Sequence, residues 1–183
     1  MNISTSLINY KRLEESKWKK FPGKLSGSSH PGYRINATKE EILSNIIDDL
    51  NFISDQDIKY IYSLTENNKP MNHKLIQTIW QNNFNDSHYI TEIKNISLAI
   101  EDFHPPTQKQ LDYISKDVIE HLENGDNVLI HCTLGLGRSG TIISGIYMRA
   151  FGISSAQEAI TYIRENYLSG AVETAVQVEA LEK

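Results

Sequence analysis

The chain carries a single cysteine, Cys132, in 183 residues. An internal disulfide is therefore excluded, and so is any metal site built from several cysteines. No stretch approaches the ~18 consecutive apolar residues of a membrane-spanning helix, so no membrane span is expected. The N-terminus lacks a basic region followed by an apolar core, the mark of a standard secretory signal. A cytoplasmic location is the expectation, with delivery into another cell by a specialised route left open. Basic residues are not in surplus: the formal net charge is −5 and the sequence pI is about 5.7. A nucleic-acid platform is not expected from that balance. Apolar residues at 39% and charged residues at 22% suit one folded domain with a sizeable core.

What is present centres on Asn127 to Thr141, NVLIHCTLGLGRSGT. Val128-Leu129-Ile130 reads as a buried strand. Gly135 and Gly137 turn the chain, and a helix starting near Arg138 follows, with Ile142, Ile143, Ile146 and Tyr147 spaced for a buried face. A strand feeding a glycine turn and then a helix gathers backbone N–H groups and the positive helix end around one point, which suits an anion. Cys132 opens that turn and Arg138 closes it. A free thiol with an ordinary pKa of ~8.5 is mostly protonated at neutral pH. Amides, a helix terminus and a guanidinium favour its thiolate, a strong nucleophile. Arg138 can grip two phosphate oxygens with its planar fork. The same donors serve a trigonal-bipyramidal phosphoryl group better than the ground state. Ser139 is placed to hydrogen-bond the sulfur and help it leave. A buried cysteine is commonly only a small hydrophobe, but that reading leaves Arg138 and the glycines without a purpose. Gly135-x-Gly137-x-x-Gly140 matches the dinucleotide fingerprint literally. Its context fails, because three residues separate it from the strand and Ile153 to Asn166 reads as helix where a second strand is needed. No Gly-Lys-Ser/Thr of a nucleotide-binding loop is present.

His131-Cys132-(five residues)-Arg138-Ser139 resembles the signature of the cysteine-dependent protein tyrosine phosphatase superfamily. HCTLGLGRSGT is most similar to its small, atypical dual-specificity members. The resemblance implies an α/β domain with a central mixed sheet flanked by helices. It implies Cys132 as nucleophile, Arg138 as phosphate ligand, Ser139 assisting breakdown of a phosphocysteine, and His131 supporting the loop. Thr133, Leu134, Gly135, Leu136 and Gly137 would line the phosphate site with Arg138. Two further segments resemble the family: LSGSSHPG near its first strand and SGAVETAVQVEAL near its C-terminus. In the latter, Gln177 faces the pocket and orients water, or is simply a solvated helix residue. The similarity covers 21–183, with 1–20 left as a loosely attached arm or a short solvated helix.

Phosphoryl transfer also needs a proton for the leaving oxygen. Ile100 to Thr107 (IEDFHPPT) supplies a candidate, because Asp102-x-x-x-Pro106 is similar to the family's general-acid loop. Ile100-Glu101 stands where the classical enzymes have Trp-Pro, so Glu101 is kept as the reserve acid. His104 reads as a solvated loop residue. Elsewhere, Thr38 and Glu41 form a candidate capping box ahead of Ile42, Ile46 and Leu50 on one helical face. Ile58 to Leu64 reads as strand, with Tyr60 and Tyr62 as core or sheet residues. Asn67–Asn72 and Asn85–Ser87 read as turns around a helix from Lys74 to Asn83, with Leu75, Ile76 and Ile79 inward and Trp80 in the core. Part of Tyr89 to Ile100 reads as strand. A helix from Thr107 to Glu123 buries Leu111, Ile114, Val118 and Leu122, and Ser154-Ser155 caps another.

The expectation is a phosphatase without metal or cofactor, acting on phosphotyrosine and on phosphoserine or phosphothreonine in proteins. Thr133, Leu134 and Leu136 bring no positive charge, which disfavours inositol polyphosphates. No motif for a deep tyrosine-clamping loop is evident. A phosphoinositide or RNA 5′-phosphatase is the alternative within the superfamily. A phosphate-binding pseudophosphatase is the alternative outside catalysis. A phosphorylated protein or peptide is the expected partner, and the sequence leaves the oligomeric state open.

Overall fold

A computed structural model describes residues 8–14, 16–34, 39–65 and 93–183. The expected helix Lys74–Asn83, its flanking turns, Trp80, Thr38 and the side chain of Ile42 lie outside the described residues. Among the described residues five strands form one mixed sheet: β1 (Lys11–Arg12), β2 (Leu25–Ser28), β3 (Ile58–Ser63), β4 (Lys94–Ser97) and β5 (Asn127–His131). The spatial order is β1-β2-β5-β3-β4. The β1–β2 pair is antiparallel and the other three pairs are parallel. Five α-helices among the described residues accompany it: α1 (Lys39–Asp55), α2 (Gln108–Glu123), α3 (Gly137–Phe151), α4 (Ala156–Asn166) and α5 (Ala175–Leu181). The architecture is thus the α/β sandwich expected from the sequence. No helix among the described residues is long and apolar enough to cross a membrane.

The central strand β5 is buried on both faces, and its side chains alternate between two cores. Leu129 joins Ile46, Leu50 and Ile53 of α1 and Ile58 and Ile61 of β3 on one face. Val128 and Ile130 join Leu111, Ile114, Val118, Ile142, Ile143, Ile146 and Ile163 on the other. Ile58 and Ile61 share a face despite odd spacing because the β3–β5 register shifts between Ile58 and Tyr60. Each such fully buried aliphatic side chain contributes about 1.5–3 kcal/mol.

Helix ends follow local chemistry. Thr107 N-caps α2 in a reciprocal box with Gln110. Ser155 caps α4, and Gly152 ends α3 in the left-handed region. The described part of the N-terminal segment packs onto the sheet and the core. Lys11–Arg12 pairs with β2, and a 3₁₀ turn spans Ser16–Lys20. Leu13 and Trp18 are buried in the main core. Trp18 packs against Phe21, Tyr147 and Phe151. The reason lies in composition: Leu13, Trp18 and Phe21 offer more apolar area than a solvated segment would leave in water.

Candidate active site

The parallel neighbours of β5 end level with it, Ser28 of β2 and Ser63 of β3 both lying opposite His131. The chain therefore leaves the sheet at Cys132, and residues 132–136 curl before α3 begins at Gly137. Four successive carbonyls of this curl are tied down from outside. His30 N–H donates to Thr133 O at 3.1 Å, and Asn9 Nδ2 donates to Leu134 O at 2.8 Å. The Tyr167 hydroxyl donates to Gly135 O at 2.7 Å. Leu136 O accepts from Gly140 N–H at 2.8 Å and from Val172 N–H at 3.4 Å. Carbonyls turned outward leave the opposed amide edges turned toward the centre of the loop. Gly135 N–H donates to Cys132 Sγ at 3.2 Å. No side chain caps α3, so its first-turn N–H groups remain an anion-attracting end.

Gly135 makes the curl possible. Its φ is +82°, and a Cβ there would lie 2.6 Å from both C and O of Ser28. Only glycine meets both conditions. Burial pushes the Tyr167 phenol well above its ordinary pKa, and Cys132 adds to the effect. The hydroxyl therefore stays a donor to Gly135 throughout the physiological range.

Cys132 and Arg138 are nearly inaccessible, 3% and 2% exposed. Arg138 spreads its guanidinium over three partners. Nη1 donates to Ile100 O at 3.0 Å, and Nη2 donates to Thr133 Oγ1 at 2.8 Å and sits 2.7 Å from Asp102 Oδ1. These contacts join the loop after β5 to the loop before α2. A cleft of about 260 Å³ opens here, lined by Tyr33, Asp102, Phe103, Cys132, Thr133, Leu134, Arg138, Glu173 and Gln177. Arg34 and Gly32 are both anchored on Asp49 of α1, which fixes the segment carrying Tyr33.

Of the residues singled out in the sequence, Cys132, Arg138, Asp102, Thr133, Leu134 and Gln177 converge on this cleft. Gly135, Leu136 and Gly137, expected to line the phosphate site, are not among the residues lining this cleft; Leu136 is the N-cap of α3. Gln177 is fully buried, not a solvated helix glutamine. His131 is buried beneath the loop, edge-on to His30 with ring centroids 4.8 Å apart. Ser139 is buried, but its hydroxyl has no hydrogen-bond partner. The expected contact to sulfur is therefore not formed here, where Gly135 N–H holds that place. Glu101 does not line the cleft; its side chain is 70% exposed and lies 3.8 Å from His104. Tyr33, Phe103, Glu173, Asn9, His30 and Tyr167 were not anticipated. Asn9 and Phe103 are left-handed, φ +57° and +62°, and backbone angles are not visible in sequence.

A sequence model of the Swiss Army Knife DSP-PTPase phosphatase domain, PTP-SAK, matches residues 43–179. The chain belongs to this family. The PTP-SAK match spans α1 to α5 and so includes the whole cleft except Tyr33. Among solved structures, Tk-PTP in its active form superposes with a TM-score of 0.64 at 27% identity, covering 87% of this chain and 90% of that one. The kinase-associated phosphatase KAP, solved with its catalytic cysteine replaced by serine, gives a TM-score of 0.74 at 19% identity over 96% of this chain and 92% of that one. PTPMT1 in complex with PI(5)P gives 0.63 at 15% identity over 94% and 92%. The latter two establish the shared fold. A curated relative, the uncharacterized protein MJECL20 of Methanocaldococcus jannaschii, is 35% identical over 91 residues, half of this chain and 59% of its own length. A second, MJ0215 from the same organism, is 32% identical over 91 residues and 55% of its length. The chain thus spans a little over half of each curated relative.

Proposed function

We propose that this PTP-SAK domain hydrolyses phosphate monoesters through a phosphocysteine intermediate. The observation that carries the reading is the convergence, in one cleft, of Cys132 beneath an inward-facing amide, the buried Arg138 fork, and Asp102 on that fork. Arg138 and the loop amides hold the non-bridging oxygens. Cys132 Sγ attacks phosphorus as thiolate, forming the S–P bond while the ester P–O bond breaks. Asp102 delivers its proton to the departing oxygen. Water then attacks the phosphocysteine, Asp102 takes up a proton, and sulfur leaves as thiolate. No metal enters these steps. Asp102 serves better than Glu101 because it lines the cleft while Glu101 points to solvent.

The rim narrows the substrate. Among the described residues that line the cleft, Arg138 is the one arginine or lysine, and the carboxylates of Asp102 and Glu173 stand with it. Tyr33, Phe103 and Leu134 supply apolar surface, with Phe103 61% exposed. A single phosphate on an aromatic or short alkyl group of a protein fits this rim. A headgroup with a further phosphate beyond the one held by Arg138 meets the carboxylates of Asp102 and Glu173 where it needs cations, so the phosphoinositide seen with PTPMT1 is disfavoured as substrate here.

Release of p-nitrophenol from its phosphate ester in EDTA tests the chemistry. Turnover is expected to persist in EDTA, to be blocked by vanadate, and to vanish in Cys132→Ser. Full activity in Cys132→Ser, or none in the wild-type chain, refutes the mechanism; the second result leaves a phosphate-recognising module. A phosphopeptide panel set against phosphoinositides then checks the substrate class.

A further inference from the structure

The loop that carries Asp102 is fastened to the last helix by two side chains, each serving twice. Thr174 and Gln177 form the reciprocal capping box of α5. Thr174 Oγ1 accepts from Gln177 N–H at 3.4 Å, while Gln177 Oε1 accepts from the N–H groups of Glu173 and Thr174 at 2.9 and 3.2 Å. Those are the acceptor halves of the two side chains. Their donor halves point away from the helix. The Thr174 hydroxyl donates to Phe103 O at 3.1 Å, and Gln177 Nε2 donates to His104 O at 3.3 Å. The two receiving carbonyls directly follow Asp102 in the chain. Phe103, which carries the first of them, is left-handed, φ +62°, a conformation that a phenylalanine leaves unless its surroundings hold it. Gln177 is fully buried, so its amide is committed to these contacts rather than to bulk solvent.

We infer that Thr174 and Gln177 are positioning residues for the general acid: the spare donors of the α5 capping box hold the Phe103–His104 backbone so that the Asp102 carboxyl stays over the phosphate site. This rests on the phosphatase reading of the cleft. It gives Gln177 a task other than orienting water. It also gives the C-terminal helix a part in the first chemical step, although it contributes no group to phosphorus.

The prediction concerns leaving-group dependence. A nitrophenolate leaves with little help, whereas an unactivated phenolate needs the proton. Thr174→Asp keeps a capping acceptor but removes the donor to Phe103 O. Gln177→Glu keeps an acceptor and removes the donor to His104 O. Thr174→Ser keeps both. With the full chain in EDTA, kcat for phenyl phosphate is expected to fall in Thr174→Asp and in Gln177→Glu by about tenfold or more beyond any fall for p-nitrophenyl phosphate. KM is expected to stay within about twofold in Thr174→Asp, because Thr174 does not line the cleft and phosphate binding by Arg138 is untouched. The fall of kcat on the basic side of the pH profile should flatten as the acid ceases to matter. Thr174→Ser should keep the wild-type ratio of the two substrates. A folded Thr174→Asp or Gln177→Glu protein with the wild-type ratio, or with both substrates slowed alike, overturns the inference. So does a Thr174→Ser protein as impaired as Thr174→Asp. Either result with wild-type turnover still dependent on Cys132 refutes the positioning alone. A wild-type chain that turns over neither substrate refutes the phosphatase reading and the positioning with it.

Discussion

Replacing Gly135 by alanine puts the loop's construction to a quantitative test. Two separate costs arise. Holding an alanine at φ +82° costs about 1 kcal/mol. The new methyl would lie 2.6 Å from Ser28 C and O and 2.9 Å from Ser29 N, whereas carbon contacts relax near ~3.5–4 Å. About an ångström of movement is required, and the obstacle is backbone. Ser28 cannot yield freely, since it is paired with His131 at the end of the β2–β5 ladder. Overpacking of this kind costs about 1–3 kcal/mol. The sum is about 2–4 kcal/mol, or roughly 5–15 °C of melting temperature for a domain of this size. Gly152→Ala isolates the first cost, because Gly152 has φ +66° and nothing within 4 Å of an added Cβ. It should lose about 2–4 °C and no activity. In Gly135→Ala the displaced N–H also leaves Cys132 Sγ, and a shift of ~1 Å at a reacting centre costs about 10²-fold in rate. Calorimetry on both variants, with kcat for p-nitrophenyl phosphate, reads out the two costs. If Gly135→Ala melts with Gly152→Ala and keeps kcat within about twofold, the close approach of loop to strand is not what shapes this site.

Asp102→Asn removes both the acid and the anion that occupies Arg138. It should lower kcat for phenyl phosphate by about 10²–10⁴-fold while inorganic phosphate binds more tightly as a competitive inhibitor; weaker phosphate binding would show that the 2.7 Å ion pair does not compete with substrate. Tyr167→Phe leaves the buried Gly135 carbonyl without its hydroxyl partner, a loss of about 1–3 kcal/mol that denaturant unfolding should detect together with a slower kcat. Tyr62 and Tyr167 both have phenols raised above the ordinary value, chiefly by burial. Their share of the stability is fully present below pH ~10 and is lost as the pH climbs above that. The alkaline decline should be shallower in Tyr62→Phe by up to about 1.4 kcal/mol per pH unit, and an unchanged decline would refute the assignment. Trp18→Ala should cost about 3–5 kcal/mol by thermal unfolding, because the indole is 3% exposed against three aromatic rings; a loss under about 1 kcal/mol would restore the picture of a detachable arm.

How much of this was legible in the sequence depends on how local each determinant is. The strand, turn and helix around Cys132 are contiguous, so residue type and spacing carried them. The capping residues Thr107 and Ser155 were equally local, and each sits within three residues of the amide it accepts from. The burial of Leu13 and Trp18 escaped because Lys17, Lys19 and Lys20 dominate the composition around them. Two of the ammonium groups lie over aromatic rings instead: Lys17 Nζ is 5.4 and 5.1 Å from the centroids of Tyr147 and Tyr162, and Lys20 Nζ is 4.3 Å from that of Phe151. Charge at the tip hid an apolar underside.

The supports of the phosphate loop escaped for a different reason. Asn9 reaches across 125 positions to Leu134, and Tyr167 reaches back 32 to Gly135. Neither residue type announces such a contact. A sequence motif records which side chains the chemistry needs. The direction of four carbonyls is set by whatever the fold happens to bring beside them: a strand end, an N-terminal asparagine, a tyrosine at the C-cap of α4. Amides can face a phosphate only if their carbonyls are satisfied elsewhere, since an unpaired buried carbonyl would cost about 1–3 kcal/mol. The signature around Cys132 is therefore an incomplete description of its own site, and the residues that complete it are the ones to mutate when testing whether the cup of amides, rather than the sulfur alone, makes the catalyst.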